Sequence, residues 1–210
     1  MTIAIVSTGA FGNEVASFLQ SYANACRVVP EETLDEAFDP DNVLVIAATW
    51  RPSPPLGARA DELSFERRIS WLPVVMEHWR IMIGPLIRPP GGPCYRCFLR
   101  RKAQHDSRHS ETLAADRAFT EEEWAGPRGH MPYQARIAAS LAMRLARLAE
   151  ARSPALNGPE GASASKLLEY DLITHDISVS SVIRCHDCGR CTGRAQPATA
   201  IGEILSGLRR

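Results

Sequence analysis

Several things are scarce in this chain, and each scarcity removes a class of function. Neither sign of charge is in excess: 24 Lys and Arg balance 24 Asp and Glu over 210 residues. A chain with no net field has little to draw in nucleic acid or an anionic membrane. No apolar run approaches the length of a bilayer crossing, and neither an internal repeat nor a heptad array is present. The start of the chain lacks a secretory signal, because Met1 to Val6 carries no basic residue and Glu14 cuts the apolar run short. The expectation is a reducing, cytoplasmic setting in which thiols do not pair as disulfides. With 45% hydrophobic and 23% charged residues, the chain can bury the core of one ordinary domain.

Cysteine is also sparse, at six residues, but its placement is informative. Cys94-Tyr-Arg-Cys97 and Cys185-His-Asp-Cys188 are two Cys-x-x-Cys hooks separated by most of the chain. Each hook presents two thiolates about 3.5 to 4 Å apart, and two hooks complete the tetrahedral shell of one zinc ion. Cys94, Cys97, Cys185 and Cys188 are the expected ligands. Cys191 follows at the same spacing and could replace either neighbour, so it is held as a spare thiol, and Cys26 reads as a small buried apolar residue. A closed four-thiolate shell leaves no position for water or substrate, so this zinc would be structural.

The chain opens with a strand, a glycine turn and a helix. Ile3-Ala-Ile-Val6 leads into Ser7-Thr-Gly9-Ala-Phe-Gly12, and Val15, Phe18, Leu19 and Tyr22 follow at helical spacing. This is the dinucleotide fingerprint with Ser7 in place of its first glycine, while Gly9 and Gly12 hold the close-approach and helix-packing positions. Gly9 and Gly12 are read as a vestigial nucleotide turn that binds no nucleotide. Arg27 to Val29 is a second strand, Glu31 to Asp39 an acidic helical turn, and Asp41 to Ala48 a continuous apolar run suited to a central parallel strand. The fold class expected is therefore α/β. The interval from Pro30 to Val43 supplies only acids, which would repel a triphosphate.

Further along, Trp50 to Arg59 reads as a Pro-rich loop and Asp61 to Ser70 as a short helix. Trp71 to Met76 and Arg80 to Gly84 read as strands bent at Glu77-His78, with His78 solvated. Arg100 to Ala118 reads as a solvated surface or linker in which His105 and His109 bind nothing. Thr120 is expected to cap a helix with Glu123 as its capping-box partner. Met131 to Ala151 is the longest helix signal, with Ile137, Leu141, Leu145 and Leu148 on one face and many alanines permitting close helix packing. A Pro, Gly and Ser-rich linker follows over 153–165. Leu167 to Thr174 and Ile177 to Arg184 read as a hairpin that delivers Cys185 beside Cys94, and a last short helix is expected over 201–208.

The opening strand-glycine-helix unit, Trp71-Leu-Pro-Val74, the run Gly84-Pro-Leu-Ile-Arg-Pro into Cys94-Tyr-Arg-Cys97, and the second Cys-x-x-Cys together resemble one family. They resemble the ThiF-like branch of the ubiquitin-activating superfamily found in bacteriocin biosynthesis, the partner proteins of YcaO cyclodehydratases in thiazole- and oxazole-modified peptide pathways. The resemblance implies a Rossmann-like ThiF-type sheet with a zinc-tied C-terminal hairpin region. It implies one domain, with a Rossmann-like half over 1–70, a zinc-bridged half over 71–194 and a tail over 195–210. Members commonly carry a winged-helix peptide-recognition domain ahead of this fold, and none is evident here.

The function implied is that of a non-catalytic partner subunit, homodimeric, which presents a precursor peptide to a YcaO-type enzyme or stimulates it, with a flavin dehydrogenase as a further member of the complex. It carries structural zinc and no ATP of its own. The alternative is an ATP-dependent adenylating enzyme acting on a peptide or sulfur-carrier carboxylate, with Arg27 or Arg51 near the turn as its phosphate ligand. A nicotinamide- or flavin-dependent reductase, with Glu31 or Glu32 on the ribose, is a third reading that gives zinc no purpose.

Overall fold

A computed structural model describes residues 2–23, 25–122, 124–126, 129–150 and 164–192. Its frame is a seven-stranded mixed sheet in the order β2-β1-β3-β4-β5-β6-β7. The strands are β1 (Thr2–Thr8), β2 (Cys26–Val29), β3 (Asn42–Thr49), β4 (Ser70–Glu77), β5 (Arg80–Ile83), β6 (Ala164–Asp171) and β7 (Ile177–Ile183). The first four pair in parallel; from β4 onward each neighbour is antiparallel. As the continuous apolar run requires, β3 lies between β1 and β4 and is covered on both faces.

Two helices cover one face. α1 (Gly9–Tyr22) and α6 (Pro132–Glu150) pack together over a core containing Ile5, Phe11, Val15, Leu19, Ile46, Leu72 and Ile83. On α6 the buried residues are chiefly Ala135, Ala138, Ala139, Ala142, Leu145 and Ala146, whereas Ile137 and Leu141 are only half-buried. The expected leucine face is thus turned partly aside. Alanine at the contact lets the α6 backbone approach α1 closely, and that approach is stabilising enough to set the rotation of the helix. The opposite face carries α2 (Leu34–Ala37) and α3 (Pro54–Arg67), which bury Val6, Phe38, Val45, Leu56, Leu63 and Trp71. Fully burying a side chain of this size contributes about 1.5–3 kcal/mol.

Three local expectations change. α3 begins at Pro54, inside the stretch read as a loop, because proline at the first helical positions lacks only an N–H that would go unbonded there. The polar stretch after Cys97 is helical, as α4 (Tyr95–His105) and α5 (His109–Glu121), so the exposed His105 and His109 fall on separate helices. Thr120 lies in the last turn of α5, where its hydroxyl donates to the Asp116 carbonyl at 2.9 Å instead of capping a helix start. Glu123, most of the linker and the expected tail helix lie outside the described residues.

Pro73 stands inside β4, a position normally hostile to proline. It is tolerated because the β4–β5 ladder starts only at Val74↔Ile83, and Trp71 is bridged separately to Ile87. The Pro73 carbonyl still accepts the Gly84 N–H at 2.8 Å.

Gly12 sets the approach of α1 to β3, since a Cβ there would stand 2.3 Å from the Ala48 carbonyl oxygen. Backbone cannot yield as a flexible side chain would. Gly12→Ala is expected to destabilise the protein by about 1–3 kcal/mol, read as a lower urea midpoint at unchanged slope.

Candidate metal centre and the closed crevice

The thiols gather where three elements meet. Cys94 is the residue before α4, with φ −83° and ψ 172°, and Cys97 lies buried in the first turn of that helix. A thiolate is favoured at a helix N-terminus by the unbonded N–H groups and the helix dipole. From the far end of the chain, β7 leads to Cys185, and α7 (Gly189–Thr192) carries Cys191, with Cys188 just before it. All five cysteines are buried in one cluster, and none forms a disulfide.

The sulfurs that converge differ from the expected set at one place. Cys94, Cys97, Cys188 and Cys191 have Sγ atoms all within 4.8 Å of one another. Cys185 is not among them, and Cys191 takes its place. The Cys185 N–H instead donates to Cys97 Sγ at 3.3 Å, and its own sulfur points to the Cys97 carbonyl at 3.8 Å. It orients a cluster sulfur from outside, a role that tunes a thiolate without joining the shell.

The dimensions suit a metal ion of the zinc type. Zinc–sulfur bonds of about 2.3 Å put sulfurs about 3.8 Å apart at the corners of a tetrahedron. The Sγ–Sγ distances are 3.7 Å for Cys94–Cys97, 3.4 Å for Cys94–Cys188 and 3.5 Å for Cys97–Cys191. Burial drives the Cys94 thiol well above its ordinary value and pushes Cys191 up to about 12. Cys188 is buried too, yet the backbone N–H groups of Cys191 and Arg190 and the Cys94 contact lower it to about 7. Four adjacent thiolates need a cation, and a bound metal would deprotonate all of them.

Asp61 braces this region. It is a buried carboxylate on α3 whose Oδ1 accepts the Tyr95 N–H at 2.9 Å, capping α4 from another helix. Its Oδ2 lies 3.5 Å from Arg190 Nε on α7. Burial raises the Asp61 carboxyl despite these partners. Tyr95 in turn packs on Trp71 and Phe98, with ring centroids 5.1 and 5.6 Å away. Asp61 and Arg190 carry no sequence signal, because their partners are remote in the chain.

Gly9 and Gly12 occupy a second region, where β1 and β3 lie side by side. Thr8 pairs with Thr49 at their C-terminal ends, after which α1 leaves over one face and α3 over the other. In open α/β sheets this switch point is where ligands bind. Here Trp50 fills it. Gly9 has φ +65°, and a Cβ on it would stand 2.3 Å from the Trp50 ring. Arg51 lies over that ring at 4.7 Å and donates to the carbonyls of Glu122 at 3.0 Å and of Ala125. Arg27 is engaged as well, donating to the Glu36 carbonyl at 3.0 Å. What remains is a cleft of about 260 Å³ lined by Phe11, Trp50, Met76 and His130, with His130 held by Glu14.

Comparison with known proteins bears on the fold. No protein-family model matches this chain, and no curated protein matches it by sequence. Solved structures do match. The heterocyclase TruD superposes with a TM-score of 0.62 at 18% identity, over 90% of this chain and 27% of that one. A chain of the E. coli microcin synthetase McbBCD complex gives 0.60 at 16%, over 90% of this chain and 67% of that one. The same complex with pro-MccB17 bound gives 0.57 at 14%, over 91% and 70%. This chain therefore has the mixed α/β fold present in a heterocyclase and in a microcin synthetase, and it spans about a quarter of the TruD chain, 27%.

The geometry predicts opposite outcomes for two neighbouring thiols. Cys191→Ser is expected to lose bound zinc and unfold at ordinary temperature, since structural zinc contributes on the order of 10 kcal/mol. Cys185→Ser should keep one equivalent of zinc and lose only an outer contact. Metal analysis of the purified variants, with thermal melts, separates them.

Proposed function

We propose that this chain is a non-catalytic partner subunit of a synthetase that modifies a ribosomal peptide, of the azoline- or azole-forming type. It presents the precursor peptide to an ATP-using YcaO-type enzyme or stimulates that enzyme. Zinc held by Cys94, Cys97, Cys188 and Cys191 is its structural ion. In this reading the sheet is of ThiF-like descent and has kept its shape while giving up its nucleotide.

The observation that carries this reading is the indole of Trp50 in the crevice between β1 and β3, pressed against Gly9. A phosphate approaching the turn would need that space and a cation. Arg51, the residue after Trp50, is committed to two backbone carbonyls and to the Trp50 face. Among the described residues, the two arginines that the adenylating alternative would use, Arg27 and Arg51, are both engaged by backbone carbonyls. The reductase alternative would place Glu31 or Glu32 on a ribose, but the same indole obstructs the dinucleotide's pyrophosphate. A four-thiolate shell is closed and offers no catalytic position. What the molecule retains is a rigid sheet with broad surfaces, suited to holding a peptide beside a separate catalyst. Likeness to a heterocyclase and to a synthetase complex with pro-MccB17 bound supports that class of work.

Calorimetry tests the reading directly. The zinc-loaded protein is expected to bind neither ATP, AMP nor NAD(P)H at micromolar affinity, and to bind a candidate precursor peptide or raise the ATP turnover of a YcaO-type partner. Micromolar ATP binding by the unaltered chain would make the turn from Ser7 to Gly12 an active site and reverse the conclusion.

A further inference from the structure

Among the described residues, the last strand of the sheet has no neighbour on its outer side. β7 is an edge, and Ile177-Ser-Val-Ser-Ser-Val-Ile183 contains no charge, proline or bulge, the devices that keep free edges from pairing. Ile177, Val179 and Ile183 are 50%, 61% and 49% exposed.

The ladder to β6 says which backbone groups are free. Tyr170 pairs with Ile177, and the Asp171 N–H donates to the Asp176 carbonyl at 3.0 Å. Alternation in an antiparallel ladder then turns the N–H and C=O groups of Ser178, Ser180 and Val182 toward β6. Those of Ile177, Val179, Ser181 and Ile183 point away from the sheet. The exposed apolar side chains therefore belong to the residues whose backbone groups are available for pairing.

We propose that β7 pairs antiparallel with β7 of a second copy of this chain, about a two-fold axis at Ser180. In that register Ile177 of each copy lies opposite Ile183 of the other, and the outward backbone groups bond in pairs. Charge selects the same register. Asp176 and Arg184 flank the strand, one residue beyond each end, and the axis at Ser180 sets Asp176 of each copy against Arg184 of the other. A shift of two residues loses both ion pairs and the Ile177–Ile183 contacts, and a shift of one turns the wrong backbone groups toward the partner. The dimer expected from the family resemblance thereby gains a definite surface, which stands whether or not the scaffold reading does.

Sedimentation velocity on the full chain tests it. The unaltered protein is expected to be dimeric at tens of micromolar, and Val179→Lys should weaken self-association by about tenfold or more. Asp176→Arg and Arg184→Asp should each weaken it alone, whereas mixing the two variants should restore a dimer, because every facing pair then has opposite charge. In the unaltered protein, dilution through dissociation should release hydrogen-exchange protection at Ile177, Val179, Ser181 and Ile183 but not at Ser178 or Ser180. A monomer at these concentrations overturns the proposal. So does a dimer indifferent to Val179→Lys, a mixture that fails to associate, or a monomer whose outward β7 amides stay protected by some other occupant.

Discussion

Four buried sulfurs from two distant stretches of chain meet at one point, and much of the second half of the fold hangs on that meeting. Burial opposes charge on Cys94 and Cys191, so ionising all four thiols together calls for a cation to share. A metal bound there would join the N-terminus of α4 to the end of β7 and to α7 in one step. It would replace the large hydrophobic layer that a hairpin at the end of a sheet otherwise needs. The apolar cluster under α4 is small: Val75, Met82, Phe98, Leu167 and Val182. Asp61 extends the tie by capping α4 from α3 and approaching Arg190 on α7. The cost of burying its carboxylate is offset by fixing three helices at once.

At the other end of the parallel strands, side chains occupy the crevice between β1 and β3. β1, Gly9 and Gly12 follow a backbone path of the kind that receives a pyrophosphate in open α/β sheets. Trp50 and Arg51 then fill that path from the end of β3, with the carbonyls of Glu122 and Ala125 completing the closure. That filling is built from packed rings and backbone hydrogen bonds. It also gives Gly9 a purely steric role, since only a residue without a Cβ leaves room for the indole.

Much of this architecture is legible in the amino-acid sequence. The β1-turn-α1 unit, the buried β3 and the β6–β7 hairpin follow from periodicity and glycine placement, which are local signals. The two hooks mark the thiol cluster, but not its membership. Cys185, Cys188 and Cys191 are evenly spaced, so either overlapping pair satisfies a Cys-x-x-Cys hook, and the choice depends on how the chain leaves β7. There the Cys185 N–H is committed to Cys97 Sγ, and the short turn of α7 swings Cys191 inward instead. The helix from Pro54 is hidden because proline reads as a breaker unless it stands at a helix start. Trp50 gives no warning at all: its role is set by Gly9, far earlier in the chain, and by a segment beyond Phe119. On α6 the pattern names the leucines, while the partner helix selects the alanines beside them.

The thiol cluster carries the most weight, and zinc K-edge X-ray absorption of the protein as purified reads it most directly. Bound zinc with four sulfur neighbours at about 2.3 Å and no lighter atom in the shell is the predicted result. A protein that folds without zinc, or a shell containing nitrogen or oxygen, would contradict it.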